Sequence, residues 1–394
     1  TKEERGVGMV RVCKNQKESV LAMVRKGKLD AASLSTSNLV DEIILAMSKR
    51  GVLDCLSAGV PDRRAHNTTV PFDLILASSI AAKMKIHSSM SDIPFAITDH
   101  RTLAELGYTL YDPDGVYQGL MREGALRHLV EMYSGYDFIN AYRRTVQKQI
   151  LLQLEVTPHI HIMDSTPLEV NLDNKNYEYA TIGKNKHGEQ TRGYTMLTVR
   201  GLYQDTGIIE EAVVFPMSYG DALLARELVK VSKVFHEGDI LINDRGFISR
   251  STMNYVKTIC KTDTYIPLRK NMDAYQTAVR MAIKKNKWED HPNKKRPHQK
   301  IALVENIGWA WQSENPDEDV PLNACVVVDM KTDNFFVFVT TDTTKSARMI
   351  VKTYELRPEI EEDFRQLKDF WNIEDFKSTK FNVIGFHIMC ILFG

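Results

Sequence analysis

Apolar residues recur every three or four positions over residues 39–47 and 74–84, which sets them along one side of a helix and predicts helices there. Turn signals at Val60-Pro61-Asp62 and Asp112-Pro113-Asp114 separate the pieces. Roughly the first 150 residues therefore read as helical, preceded by a basic arm from Lys2 to Lys28. Near Pro158 the period changes. Residues 159–163 form a short β-type run that ends in Asp164, and residues 194–203 and 208–215 alternate in the same way around the turn Asp205-Thr206-Gly207. Helical spacing returns over 219–235. A buried-type strand over 239–243 then leads into Asp244-Arg245-Gly246-Phe247, and a helix over 249–260 and a strand over 264–268 follow.

The order β-β-β-α-β-α-β predicts an α/β fold of the ribonuclease-H-like type, a mixed five-stranded sheet with flanking helices. Further strands are expected around 301–304, 324–329 and 335–340, with an acidic loop at 314–319 between them and a late helix over about 344–371. Residues 269–334 thus read as a β-rich insertion within the sheet domain. No solenoid-type repeat is visible.

Hydrophobic residues make up 43% of the chain and charged residues 26%, ordinary values for a globular protein, and no apolar run approaches the roughly 20 residues of a membrane span. The five cysteines are scattered without a CxxC pair, which argues against a disulfide framework or zinc ribbon and suits a reducing cytoplasm. The sequence starts at Thr1 without a leader-like segment, and an apolar run over 386–393 stops at Gly394 without a polar cap, so the natural chain is expected to continue. Net charge is zero, but from Arg269 to Lys300 ten Lys and Arg face three acids. Such a cluster can neutralise phosphates in a neutral protein, although a solvated lysine-rich loop has the same composition.

Asp164 and Asp244 each follow an apolar run. A single acid there is most simply a turn or capping residue. Strand alternation adds that Ile160, Ile162 and Asp164 share a face, as do Ile240, Ile242 and Asp244, so both carboxylates can emerge toward one point. In the late helix, Tyr354, Arg357, Glu361 and Lys368 fall within a stripe about 60° wide at about 100° per residue. An acid flanked by two cations and a phenol suits a metal ion together with a phosphate. Pro358 cannot donate to the Tyr354 carbonyl, so the helix is expected to kink or begin there. The repulsion of neighbouring acids predicts at least one raised carboxylate pKa.

The spacing Y-x2-R-x3-E-x6-K, with Asp164 in Met-Asp-Ser-Thr and Asp244 in Asn-Asp-Arg-Gly-Phe, resembles the signature of the IS-four class of bacterial insertion-sequence DDE transposases, over about residues 159–368. The resemblance implies that Asp164, Asp244 and Glu361 are the catalytic metal ligands for two Mg²⁺ ions, with Mn²⁺ able to substitute. It implies that Tyr354, Arg357 and Lys368 contact DNA. It also implies a transposase that cleaves transposon-end duplex DNA and joins it to target DNA, acting as a homodimer on DNA in the bacterial cytoplasm at the nucleoid, with no membrane partner. A catalytically inactive DNA-binding descendant and another ribonuclease-H-like nuclease are the alternatives. The expected divisions are a basic arm (1–35), a helical region that could bind DNA (36–155), the first part of the catalytic domain (156–268), the insertion (269–334) and the second part of the catalytic domain (335–394).

Three other features carry less. His159 and His161 have metal-pair spacing on a strand but point away from Asp164, which favours packing or local hydrogen bonds. Gly183 to Gly188 starts like a phosphate-binding loop, yet Glu189-Gln190 stands where Lys and Ser or Thr are required; Lys184, Lys186 and Arg192 of that hairpin could instead touch DNA. Trp288, Trp309 and Trp311 are more simply core residues than base-stacking ones.

Overall fold

The structure, a computed structural model, describes residues 17–28, 37–64, 70–87, 89–110, 123–154, 159–185, 188–203, 206–308 and 319–394. The chain divides into two compact units, Thr1–Ile150 with Phe370–Gly394, and Leu151–Asp369. The basic arm up to residue 16, the turn at 112–114, Lys186, Trp309, Trp311 and residues 314–318 lie outside the described residues.

The first unit is helical: α1 (Lys17–Arg25), α2 (Leu39–Lys49), α3 (Val52–Gly59), α4 (Phe72–Met84), α5 (His100–Glu105), α6 (Glu123–Glu131) and α7 (Gly135–Thr145). Reciprocal capping boxes, Asn38 with Asp41 and Ser134 with Asp137, start α2 and α7. From Phe72 to Lys83 of α4 every residue but Asp73 is buried, so this helix is surrounded by others and lacks a polar face.

The second unit contains a ten-stranded mixed sheet built from β1 (Ile160–Val170), β2 (Thr181–Lys184), β3 (Gln190–Tyr203), β4 (Thr206–Pro216), β5 (Ile240–Asn243), β6 (Asp263–Pro267), β7 (Glu289–Asp290), β8 (Gln299–Val304), β9 (Asn323–Asp329) and β10 (Asn334–Thr340). Helices α8 (Asp221–Val231), α9 (Arg250–Thr258), α10 (Asp273–Lys285), α11 (Ala347–Tyr354) and α12 (Glu359–Asp369) accompany it. The order β4-β3-β1-β5-β6 is antiparallel for its first three strands and parallel from β1 to β6. β6 then pairs antiparallel with β10, and β9, β8 and β7 follow, each antiparallel to its neighbour.

The expected five-stranded sheet with a separate insertion is corrected here. Val337 and Val339 of β10 and Ala324 and Val326 of β9 share one buried cluster with Met163 of β1, Leu197 of β3 and Leu241 of β5. The strands after residue 289 therefore extend the same sheet through the β6–β10 pairing. α10, which the basic composition of its segment hid, packs Ala274, Ala278 and Ala282 into that cluster.

The chain ends in α13 (Phe381–Leu392), which is grouped with the first unit. A Cβ on Gly385 would clash with the Gly135 backbone, so two glycines let α13 and α7 cross backbone to backbone. Among the described residues no helix is long and apolar enough to cross a membrane.

Candidate active site

β1 and β5 run parallel, with Ile160 beside Ile240, Ile162 beside Ile242 and Met163 beside Asn243. One step further the chain carries Asp164 on β1 and Asp244 just past the end of β5, on strands about 4.8 Å apart. Asp164 is not at the end of its strand, as the apolar run suggested. β1 continues to Val170 because β3 pairs with it throughout, while β5 stops, so Asp164 lies where its parallel neighbour ends.

Asp164 is buried, and burial pushes its pKa up to about 6. Arg357 and the Ser165 N–H oppose that rise, and the charge of Asp244 adds to it. A raised carboxylate pKa is the expectation from the repulsion of neighbouring acids, but burial is its main cause here.

The late helix is two helices. Ser346 caps α11, which ends at Tyr354, and after a turn through Pro358 α12 begins at Glu359. Leu356 and Arg357 donate to the carbonyls of Thr353 and Tyr354 in that turn. The four-residue stripe is thus distributed: Tyr354 closes α11, Arg357 sits in the turn, and Glu361 and Lys368 lie two turns apart on α12.

The Arg357 guanidinium donates to both Asp164 Oδ2 and Glu361 Oε1, bridging the two acids. Burial disfavours its charge, but Asp164, Asp244, Glu361 and Tyr354 outweigh that and raise its pKa further. Tyr354 packs on Phe338 of β10, ring centroids 4.7 Å apart, and burial, then the charges of Asp244 and Asp164, push its hydroxyl pKa up. Lys368 Nζ donates to the Pro167 carbonyl at 2.6 Å, tying α12 to β1. Arg200 of β3 donates to Asp363 and to the Glu359 carbonyl, fastening the first turns of α12.

Among the described residues no three His, Cys, Asp or Glu side chains stand together so as to hold a single ion, and Arg357 occupies the position between Asp164 and Glu361. The donors nevertheless suit a hard cation. They are carboxylate oxygens, which favour such an ion. The Thr198 hydroxyl, on the cross-strand partner of Asp164, is also buried without a hydrogen bond.

Sequence reasoning missed several residues. Asp221, the first residue of α8, accepts the Ser165 hydroxyl at 2.9 Å. Glu355 receives Asn293 Nδ2 at 3.3 Å and pairs with Arg296 at 3.6 Å, which brings the exposed run Lys294-Lys295-Arg296, on the loop between β7 and β8, beside Tyr354. Nothing local marks these residues, because their partners lie far away in the chain. Of the residues set aside, Arg192 donates to the Leu172 and Ala180 carbonyls of the segment between β1 and β2, and Trp288 packs near Phe335.

His161 is fully buried, with Nδ1 2.7 Å from Glu210 and Nε2 3.2 Å from Asp239. The Tyr203 hydroxyl donates to the other Glu210 oxygen at 2.6 Å. Gly201 faces His161 across the β1–β3 pair, and a Cβ there would come within 2.5 Å of Glu210. This cluster lies three residues before Asp164 and on the opposite face of β1.

A family model described as Transposase DDE domain matches residues 157–393. No curated protein matches the chain.

Proposed function

We propose a function from one premise: the chain belongs to the Transposase DDE domain family. It is a transposase that cuts transposon-end duplex DNA and joins the freed ends to target DNA. Its ribonuclease-H-like core comprises β4-β3-β1-β5-β6, and its signature is of the IS-four class. What supports the reading is the register of β1 on β5, which sets Asp164 beside Asp244, together with the Arg357 bridge from Asp164 to Glu361.

Asp164, Asp244 and Glu361 would hold two Mg²⁺ ions, or Mn²⁺ in their place, and such ions activate the attacking oxygen and stabilise the leaving one in an in-line phosphodiester displacement. Arg357 exchanges its carboxylates for a DNA phosphate, since its planar fork fits both kinds of anion equally well. Lys368, anchored on the β1 side of α12, lines the phosphate path, and Tyr354 offers its hydroxyl to the end DNA. Lys294, Lys295 and Arg296 continue that path along the β7–β8 loop, and the enzyme works in the cytoplasm at the nucleoid as a DNA-bound homodimer.

The decisive experiment compares the parent with Glu361→Gln and Arg357→Ala on a duplex carrying the element's own terminal repeat. Glu361→Gln keeps the size of the side chain but removes its charge. Mg²⁺-dependent nicking should fall by about 10²-fold or more while duplex affinity stays at the parent level. Arg357→Ala should weaken both. A parent that nicks, with Glu361→Gln nicking equally well, removes Glu361 from the metal site. A parent that binds end DNA and never nicks is instead the inactive descendant.

A further inference from the structure

Asp164 within β1 and Asp244 in the turn after β5 are not held by strand pairing alone. Ser165 donates its backbone N–H to Asp164 Oδ1 at 2.8 Å and its hydroxyl to Asp221 Oδ1 at 2.9 Å. The other oxygen of Asp221 faces the turn after Asp244: a Cβ added to Gly246, two residues after Asp244, would stand 3.1 Å from Asp221 Oδ2. One carboxylate therefore bonds β1 beside Asp164 and faces the turn after Asp244. An aspartate in the first turn of a helix is commonplace, because the positive end of the helix favours it, but such a residue usually faces solvent. Here α8 begins after Gly220, whose lack of a side chain leaves no cap of its own, and Asp221 is directed across the sheet end toward Ser165.

We propose that Asp221 is a positioning residue that clamps β1 just after Asp164 to the turn after Asp244 and so fixes the separation of those two carboxylates. The inference rests on the reading that Asp164 and Asp244 hold divalent ions. It also accounts for glycine in Asp244-Arg245-Gly246-Phe247: any side chain at 246 would press on the clamp. Residues that orient metal ligands in this way typically govern metal affinity by about 10–100-fold, without touching the ion.

The test measures Mn²⁺ binding by the full chain in the absence of DNA, counting free Mn²⁺ by electron paramagnetic resonance. Thermal unfolding of each variant is followed alongside. Asp221→Ala and Ser165→Ala should each weaken binding about 10-fold, and the double variant should be no worse than either, because both remove the same bond. Asp221→Asn should stay within about 3-fold of the parent, since its amide oxygen accepts the same hydroxyl. Gly246→Ala, which leaves every acid in place, should weaken binding as Asp221→Ala does. The inference is overturned if Asp221→Ala binds like the parent while Asp164→Asn does not. It is equally overturned if Asp221→Asn loses as much as Asp221→Ala, because charge rather than position would then be at work. A parent whose Mn²⁺ binding is indifferent to Asp164→Asn overturns the metal reading itself, and the clamp with it.

Discussion

In the helical unit His387 of α13 donates from Nε2 to the Ile373 carbonyl at 3.2 Å, and burial, reinforced by the charge of Lys83, pushes its pKa down to about 3. In the sheet unit His161 is buried to the same extent, and burial alone would do likewise. Asp239 and Glu210 more than offset it and push the pKa up to about 9. The same contrast runs through the two interiors. In the helical unit burial dominates, pushing the Cys390 thiol up to about 12 and Lys83 down. The sheet unit keeps charges inside and surrounds them with partners, both at His161 and at Asp164 with Arg357. Burial sets the default, and opposite charges placed across strands override it. A unit that is to present carboxylates at the end of a buried sheet needs the second arrangement.

Removing the cation should break this contrast most severely. His161→Leu removes the buried cation between Glu210 and Asp239 and should cost about 3–5 kcal/mol. His387→Leu removes one hydrogen bond from a neutral ring and should cost about 1–2 kcal/mol. Hydrogen exchange resolved by peptide reads the two units separately, and equal costs would dissolve the distinction. The helical unit should fail on shape instead. Gly385→Ala forces a methyl into the α7–α13 crossing and should cost about 1–3 kcal/mol, confined to residues 17–145 and 370–394. The gentlest perturbation is pH, and its sign differs between the units. The contribution of His161 is complete below the unfolded value near 6.5 and is lost as pH rises through about 9. That of His387 is present above about 6.5 and is lost as pH falls toward about 3. Each effect is at most about 1.4 kcal/mol per pH unit, so alkali should loosen the sheet unit and acid the helical one. Loosening of the same unit at both extremes would contradict the assignment.

The sequence carried those parts of the architecture that depend on local period. Alternation at Ile160-Ile162-Asp164 and Ile240-Ile242-Asp244 gives the shared face of two strands, and helical spacing gives α2, α4, α8 and α9 within a few residues. What it could not carry depends on remote partners. Alternation says which face a strand buries but not which strand lies beside it, so the β6–β10 pairing that merges the insertion with the main sheet stayed hidden. α10 was masked because its buried stripe is mostly alanine among lysines. Around the acids, Pro358 marked a break, yet the turn that lets Arg357 bridge Asp164 and Glu361 is a tertiary outcome. Asp221 looked like any helix-starting aspartate because Ser165, 56 residues away, is what distinguishes it.

Merging ten strands into one sheet creates a hazard at its rim. A final strand with free backbone N–H and C=O groups is a template for the matching strand of another molecule, and long flat edges invite self-association into fibrous aggregates. Here the far rim is β7, only two residues long, and both of them, Glu289 and Asp290, are exposed acids. A second copy approaching that rim would meet two negative charges and find almost no ladder to extend. The brevity of this strand lets a wide sheet end in water without recruiting a neighbour.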